Sequence, residues 1–252
     1  MHNSLSSIVR YLDSLLRIQE VSDSAEALNG LQVENEKPIT RIAASVDACL
    51  STINSAADIG AELLLVHHGL FWEGLKPLTG IHGKRIRRLM ESGVALYSVH
   101  IPLDLNPELG NNALLASQLE LEDSDFFGDY MGERLGVIGA FRGSRDDLVS
   151  KLSAVLGVEP HLLPFGPKDP ARVAVISGGG GGMIGQALEA GADTLVTGEG
   201  KHHNFFDAEE SGINVLFAGH YATETIGIKA LAKHLSERFQ LPWEFIDHPT
   251  GL

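Results

Sequence analysis

An aliphatic run that ends in two histidines constrains the fold of this chain more than any other stretch. Leu63-Leu64-Leu65-Val66 is followed directly by His67-His68-Gly69. Four consecutive aliphatic residues with glycines nearby on both sides are typical of a strand buried on both faces, as in a parallel sheet. Open α/β sheets bind ligands beyond the carboxyl ends of their strands. The two histidines are therefore either metal ligands or packed, hydrogen-bonded core residues.

Two later predicted strands end in the same way. Val94–Val99 precedes His100, with Asp104 four residues further on, and another apolar strand precedes His220, with Glu224 four residues further on. Imidazole nitrogen binds Zn, Fe, Ni and Co, and a carboxylate can bridge two ions. Because these positions offer no thiolate, a closed cysteine-rich zinc site is excluded. The three strand ends favour a two-metal hydrolytic site.

Predicted strands and helices alternate along the chain, which indicates βαβ units and a mostly parallel sheet. The segments that begin at Arg41 and Gly60 recur 131 residues later, and the strand that begins at Ser92 recurs 119 residues later. Three matches in the same order predict an internal duplication. We expect a first α/β repeat at residues 1–125 and a second at residues 126–252.

Local signals add three expectations about elements. Apolar residues at helical spacing predict an amphipathic helix over Leu5–Leu16. Ser144, with Asp146 and Asp147 behind it, predicts the first turn of another helix. The polar, acidic stretch Glu120–Arg134 predicts the boundary between the repeats.

Composition excludes several classes of protein. A formal net charge of −14 disfavours a general nucleic-acid binder, since such proteins need a basic surface. The single cysteine, Cys49, excludes an intrachain disulfide and is typical of a reducing compartment. No long apolar run predicts a membrane span, and charged residues interrupt the first apolar positions where a signal peptide would lie. We expect a cytoplasmic protein.

Three further stretches have two interpretations each. The basic run Lys84–Arg88 is either a solvated helix face or a rim that attracts anions. Glycines at 180, 182 and 185 formally fit a dinucleotide fingerprint, but no acidic residue follows at the required distance, which favours a tight turn. The pair His202-His203 lies beyond its strand and is predicted to be on the surface.

Four blocks of the sequence together resemble the NIF3-like family, also known as GTP cyclohydrolase I type 2. They are distributed over essentially the whole chain. The blocks are Asn29-Gly30-Leu31-Gln32-Val33, Val66-His67-His68-Gly69-Leu70-Phe71-Trp72, His100-Ile101-Pro102-Leu103-Asp104 with Gly110-Asn111-Asn112, and Gly219-His220-Tyr221-Ala222-Thr223-Glu224.

The resemblance implies a specific fold and a specific site. The fold is two intertwined, duplicated α/β repeats with mixed, mostly parallel sheets and a metal site between them. The assembly is a homohexamer. His100 is implied to be a catalytic proton donor or a residue that supports the ligands. The cofactor is two divalent ions, of Zn, Fe, Mn, Ni or Co, and the implied ligands are His67, His68, Asp104, His220 and Glu224, with Glu224 as the bridge.

The function that the resemblance implies is metal-dependent hydrolysis of a small molecule such as a nucleotide. Hydroxide would attack the guanine ring of GTP, or a related C–N or phosphoester bond, and Lys84, Arg85 or Arg88 would attract the triphosphate. The family name refers to a protein partner, so the alternative is a metal-binding adaptor or metal-handling protein without hydrolase activity.

Overall fold

The computed structural model describes residues 4–25, 27–72 and 74–251. Its regular elements alternate between strands and helices, as predicted. In chain order they are α1 Leu5–Leu15, β1 Gly30–Val33, β2 Ile42–Asp47, α2 Leu50–Asp58, β3 Leu63–His68, α3 Gly80–Ser92, β4 Ala95–Ser98, α4 Ile101–Asp104, α5 Asn111–Gln118, β5 Glu122–Tyr130, β6 Glu133–Ala140, α6 Arg145–Leu156, β7 His161–Pro164, β8 Arg172–Ile176, a 3-10 turn Gly180–Met183, α7 Ile184–Glu189, β9 Thr194–Thr197, α8 Asn204–Ser211, β10 Asn214–Phe217, α9 His220–Phe239 and β11 Trp243–Phe245.

The chain forms two compact units that are not consecutive halves of the sequence. After residue 226 the chain returns to the first unit, so α9 begins in the second unit and ends in the first. The repeats predicted at 1–125 and 126–252 concern sequence duplication rather than packing, and that division stays a prediction. The first unit comprises residues 1–103 and 227–248, and the second comprises residues 104–226 and 249–252.

The first unit is built on a five-stranded sheet with the order β1-β4-β3-β2-β11. β11, β2, β3 and β4 run parallel, and β1 is antiparallel to β4. The aliphatic residues of β3 and all of β4 are buried, as expected for strands covered on both faces. Val66 of β3 pairs with Ser98 of β4, so His67, His68 and His100 follow paired residues at one edge of the sheet.

Apolar residues of β2, β3 and β4 share one core cluster with helices α2 and α3. Helix α2 buries Ile53 and Ala56, three residues apart and therefore on one helix face. Helix α3 buries Ile86 and Leu89 with the same spacing. Full burial of each Ile or Leu side chain contributes about 1.5–3 kcal/mol, so this cluster holds the carboxyl edge of the sheet in place.

The second unit is built on a six-stranded sheet with the order β5-β6-β8-β9-β10-β7. β8, β9 and β10 run parallel, whereas β5, β6 and β7 join by antiparallel pairing. The expected α/β fold with two mixed sheets is confirmed. Parallel pairing predominates in the first sheet, and antiparallel pairing in the second.

The two sheets share one connectivity, as the sequence duplication predicts. β1-β4-β3-β2 in the first sheet corresponds to β7-β10-β9-β8 in the second, with the first strand of each set antiparallel to its neighbour. The repeated segments that start at Arg41 and Arg172 supply β2 and β8. The histidines that follow β4 and β10 thus occupy equivalent positions in the two chain traces.

The stretch Glu120–Arg134, predicted to be the boundary between the repeats, has regular structure, and its place as the boundary stays a prediction. Most of this stretch forms β5 and the start of β6, a hairpin that joins the second sheet through β8. The turn between the strands contains Met131 and Gly132, both with positive φ. β5 is exposed at most positions, so it lacks the apolar alternation that identifies a strand in a sequence.

The predicted helix starts are confirmed. Ser144 caps α6 by accepting from the Asp147 amide at 3.2 Å, and Asp147 accepts from the Ser144 amide at 2.9 Å. Helix α1 buries Leu5, Ile8 and Leu12.

Within the described ranges, none of the helices has the length and apolar character required to cross a bilayer.

Candidate metal centre

Three imidazoles lie together at the carboxyl edge of the first sheet. His67 and His68 end β3, and His100 follows β4 by two residues. Ligand nitrogens of the three rings all lie within 4.8 Å of one another. His67 is fully buried, whereas His68 and His100 are partly exposed. Nitrogen ligands of zinc bind at about 2.0–2.1 Å, so donors this close can share one ion after small side-chain adjustments.

Each of these rings is held by an oxygen acceptor at its Nδ1 atom. Carbonyl and carboxylate oxygens only accept hydrogen bonds, so Nδ1 carries the proton in each case. In the neutral ring the lone pair then lies on Nε2, the arrangement typical of metal-ligating histidines. The contacts are His67 Nδ1 to the Val99 carbonyl oxygen at 2.9 Å, His68 Nδ1 to Asp47 Oδ1 at 2.9 Å, and His100 Nδ1 to Asp23 Oδ1 at 3.0 Å.

Asp23, which accepts from His100, is itself held by several donors. It accepts from the Ser24 amide at 2.7 Å and from Asn29 Nδ2 at 2.7 Å. Burial alone would raise the pKa of Asp23. The hydrogen bond and charge of His100, with the bonds from Asn29 and Ser24, instead lower that pKa below its usual range. The carboxyl group therefore stays ionised beside His100.

The second unit contributes an imidazole and a carboxylate from the first turn of α9. His220 Nε2 lies 3.1 Å from Glu224 Oε1, and His220 Nδ1 lies 2.9 Å from Glu199 Oε1. Glu224 is almost fully buried. The hydrogen bond that His220 donates to Glu224 is the largest cause that raises the pKa of His220 to about 9; burial lowers this pKa, and the charge of Glu224 and the contact with Glu199 raise it further. His220 and Glu224 therefore form a close pair that an ion can bind in place of the shared proton.

A glycine turn after β8 forms the wall behind this pair. Gly178 has a φ of +62°, and a Cβ atom there would lie 2.3 Å from Glu224 Oε1 and 3.3 Å from His220 Nε2. Its amide donates to Thr223 Oγ1 at 3.0 Å, and its carbonyl accepts from the Glu199 amide at 2.9 Å. Glycine is thus required both by the backbone angle and by the close approach of the ligand pair.

Two other glycines of this turn, Gly180 and Gly181, are explained by packing inside the second unit. A Cβ atom on Gly180 would lie 2.1 Å from Ile176 Cγ2, and one on Gly181 would lie 2.5 Å from Gly200 Cα. Gly182 and Gly185 have no neighbouring atom within 4 Å of a Cβ. These contacts favour the tight-turn interpretation over a dinucleotide fingerprint.

Asp104, the remaining predicted ligand, is buried at the end of α4. Its Oδ1 accepts from Asn111 Nδ2 at 2.7 Å. The next residue, Asn112, donates to the Leu135 carbonyl at 2.8 Å and accepts from the Ser177 amide at 2.7 Å. One asparagine therefore orients the Asp104 carboxylate, while its neighbour fixes the helix start to the second sheet.

The basic run Lys84–Arg88 lies on α3, where some of its side chains are exposed and Arg88 contacts neighbouring residues. Lys84 and Arg87 are exposed. Arg88 Nε donates to Asn54 Oδ1 at 2.8 Å, and an Arg88 terminal nitrogen lies 3.7 Å from an Asp58 oxygen. The solvated-face interpretation accounts for these residues, and attraction of an anion stays a prediction.

His202 and His203 immediately precede α8 and are exposed, as predicted. The His202 ring contacts Phe206 edge-on, with ring centroids 5.7 Å apart. Neither histidine belongs to the ligand groups found among the described residues.

A cavity of about 470 Å³ lies in the second unit beside Glu199. Small-molecule pockets have volumes of about 300–1,000 Å³. Carboxylates of Glu159 and Glu199 and the rings of His161, Phe217 and Tyr221 line it. Its lining, as far as the structure describes it, contains no lysine or arginine, which suits an organic ring better than a phosphate group.

Sequence reasoning missed the three carboxylates that hold the histidines. Asp47 ends β2 and Glu199 follows β9 by two residues, so the strand-end rule that identified the histidines also applies to them. Asp23 lies in a loop before β1, and no periodic pattern identifies it.

The profile of the DUF34/NIF3 family, described as NGG1p interacting factor 3, matches residues 3–250. The chain belongs to the DUF34/NIF3 family. A Deinococcus radiodurans protein named GTP cyclohydrolase 1 type 2 homolog is 44% identical over 97% of this chain and 93% of its own. A Pyrococcus abyssi protein of the same name is 43% identical over 97% of this chain and 98% of its own.

A solved structure has the same fold. The protein TTHA1606 from Thermus thermophilus matches with a TM-score of 0.89 and 40% identity, and the match covers 100% of both chains. The resemblance inferred from the sequence blocks is therefore confirmed for the family and for the fold.

Proposed function

We propose that this DUF34/NIF3 protein is a divalent-metal-dependent hydrolase that acts on a nucleotide or a related small molecule. The main support for this proposal is the arrangement of the three imidazoles in the first unit. Their ring nitrogens lie within 4.8 Å of one another, and each Nδ1 is hydrogen-bonded to an oxygen. Packed core histidines have no reason to bring three ring nitrogens within 4.8 Å of one another. The shared name of the relatives supports hydrolysis of a nucleotide ring.

The donor set fits the metal that the family resemblance implies. The imidazoles of His67, His68 and His220 and the carboxylates of Asp104 and Glu224 suit Zn, Fe, Mn, Ni or Co. When bound, such ions lower the pKa of water from 15.7 towards about 7 and supply a nucleophile at neutral pH. We propose that these residues hold about two ions per chain, as in dinuclear hydrolytic sites.

The residues of the chain supply orientation and proton transfer. His100, supported by an ionised Asp23, would exchange a proton with the leaving nitrogen or oxygen of the substrate. Asn111 orients the Asp104 carboxylate. The cavity beside Glu199 offers room for the organic part of a small substrate.

The test starts with metal analysis of protein purified without chelators and reconstituted with Zn, Mn or Fe. Loss of GTP and release of a formyl or formate product are then followed for wild type, Asp104→Ala and His100→Ala. His202→Ala, an exposed histidine outside the ligand groups, is the matched control. We expect the first two variants to lose most of the activity and the control to keep it.

The outcomes separate the candidate functions. Cleavage of other nucleotides or amides in place of GTP would change the substrate and leave the site intact. Metal binding without any hydrolysis that depends on Asp104 would overturn the enzyme proposal. A metal-handling protein or adaptor, as the family description suggests, would then be the better account.

We also propose a homohexamer, from the family resemblance. Light scattering at micromolar concentration should give a mass several times the chain mass of 27.1 kDa. A monomer under these conditions would contradict the proposal.

A further inference from the structure

Asp23 is a buried carboxylate that accepts hydrogen bonds on both of its oxygens. Only 5% of its side chain is exposed. Oδ1 accepts from the Ser24 amide at 2.7 Å and from His100 Nδ1 at 3.0 Å. Oδ2 accepts from Asn29 Nδ2 at 2.7 Å and from the Ile101 amide at 3.2 Å, and it lies 3.2 Å from His100 Nδ1 as well. Four donors from three separate segments therefore converge on one side chain.

The donors and acceptors in this hydrogen-bond network cannot exchange roles. Backbone amides of Ser24 and Ile101 can only donate. The Asn29 side chain could in principle rotate, but its Oδ1 already accepts from the His100 amide at 2.7 Å, which fixes its Nδ2 towards Asp23. Position 23 therefore requires an acceptor on both sides, and the His100 ring must donate from Nδ1.

We infer that Asp23 is a positioning residue that fixes His100 in the tautomer protonated on Nδ1, so that the Nε2 lone pair is held in the imidazole group. An ionised carboxylate is the only side chain of this size that offers acceptors in both directions. The inference deepens the proposed function and rests on it for what the lone pair does, which is to take a proton from the substrate.

The other two supporting carboxylates are less buried. Asp47 is 38% exposed and Glu199 is 49% exposed. An amide at position 199 can turn its nitrogen towards water and keep its oxygen on the imidazole. An amide at position 23 has no such choice, because each of its two orientations places the nitrogen against a backbone N–H.

The test measures directly which nitrogen of His100 carries the proton. Zinc-loaded protein labelled with ¹⁵N-histidine is studied by long-range ¹H–¹⁵N spectroscopy, and the His100 signals are assigned by their loss in His100→Gln. Wild type should show protonated Nδ1. A wild-type ring protonated on Nε2 alone would overturn the inference, whatever the variants do.

Asp23→Asn is the decisive variant, and Asp13→Asn is its matched control. Asp13 makes the same kind of bond within the first unit, accepting from the Tyr97 hydroxyl at 2.8 Å rather than from an imidazole. In Asp23→Asn either orientation of the new amide sets its nitrogen against a backbone N–H, so the fraction of His100 that is protonated on Nδ1 should fall. Asp13→Asn should leave the His100 signals unchanged.

Retention of the wild-type tautomer in Asp23→Asn would overturn the inference. Circular dichroism and thermal unfolding show whether both variants fold. If Asp23→Asn does not fold, the wild-type spectrum alone tests which nitrogen of His100 carries the proton. These measurements need no substrate. A failure to hydrolyse GTP would therefore contradict the proposed function but leave the inference about Asp23 unaffected.

Discussion

The two units present candidate ligands by different means. In the first unit, each imidazole is fixed by a separate hydrogen bond to an oxygen, and the rings come from the ends of adjacent parallel strands. In the second unit, His220 and Glu224 come from one helix turn, and the backbone of the Gly178 turn is pressed against them. The first arrangement depends on side chains that can be removed one at a time. The second has the same kind of contact, from His220 Nδ1 to Glu199, and depends in addition on the absence of a single Cβ atom at Gly178.

The largest effect is expected from adding a side chain at Gly178, where the backbone lies against the ligand pair. In Gly178→Ala the new methyl group would lie 2.3 Å from Glu224 Oε1, and the residue would keep a strained φ of +62°. Glu224 is buried and must move away, so we expect the metal affinity to fall about 10–100-fold, the range for disturbed ligand surroundings. Metal retained after dialysis, measured by mass spectrometry, checks this.

Gly182→Ala is the control in the same turn, because a Cβ atom there meets no atom within 4 Å. It should retain metal like wild type. Equal retention in the two variants would show that the turn does not shape the site and would break the contrast between the units.

The next prediction compares the two ligand groups directly. His67→Ala and His220→Ala should each reduce the metal content from about two ions to one or none, because each removes a nitrogen ligand. Glu224→Ala should do the same, while His202→Ala should retain the full content. If only His67→Ala loses metal, the pair in the second unit is not a ligand pair, and the proposal narrows to the three imidazoles.

Much of this fold could be predicted because its buried strands are unambiguous. Leu63–Val66 is a short, fully apolar run with glycines nearby on both sides, which favours a strand buried on both faces over a helix. Strand-end histidines followed from the same rule. By contrast, the pairing of β5 depends on its backbone partner in β6, because the residues of Glu122–Tyr130 are mostly exposed and carry no apolar pattern.

The residues that support the site could not be predicted from the sequence, for a different reason. Asp23 and His100 are 77 residues apart, and only the folded chain places them in contact. Gly180, Gly182 and Gly185 formally matched a dinucleotide-binding motif, whereas the close contacts in the structure are those of Gly178 with Glu224, Gly180 with Ile176 and Gly181 with Gly200. A glycine in the sequence indicates that the backbone approaches another group closely, but the sequence does not identify that group.

The smallest expected effect concerns the hydrogen bond that closes the glycine turn on α9. Thr223 is fully buried, and its Oγ1 accepts from the Gly178 amide at 3.0 Å while donating to the backbone of the preceding helix turn. Thr223→Val keeps the shape but leaves the Gly178 N–H without this acceptor, which costs about 1–3 kcal/mol of unfolding free energy. Thr225→Val is the matched control, since Thr225 Oγ1 only donates to the Ala222 carbonyl at 3.1 Å and is partly exposed. Urea unfolding of the two variants gives the difference. Because Thr223→Val leaves Gly178 in place, it should reduce metal affinity less than Gly178→Ala. A Thr223→Val protein as stable as Thr225→Val would mean that packing alone, and not this bond, holds the turn against the ligand pair.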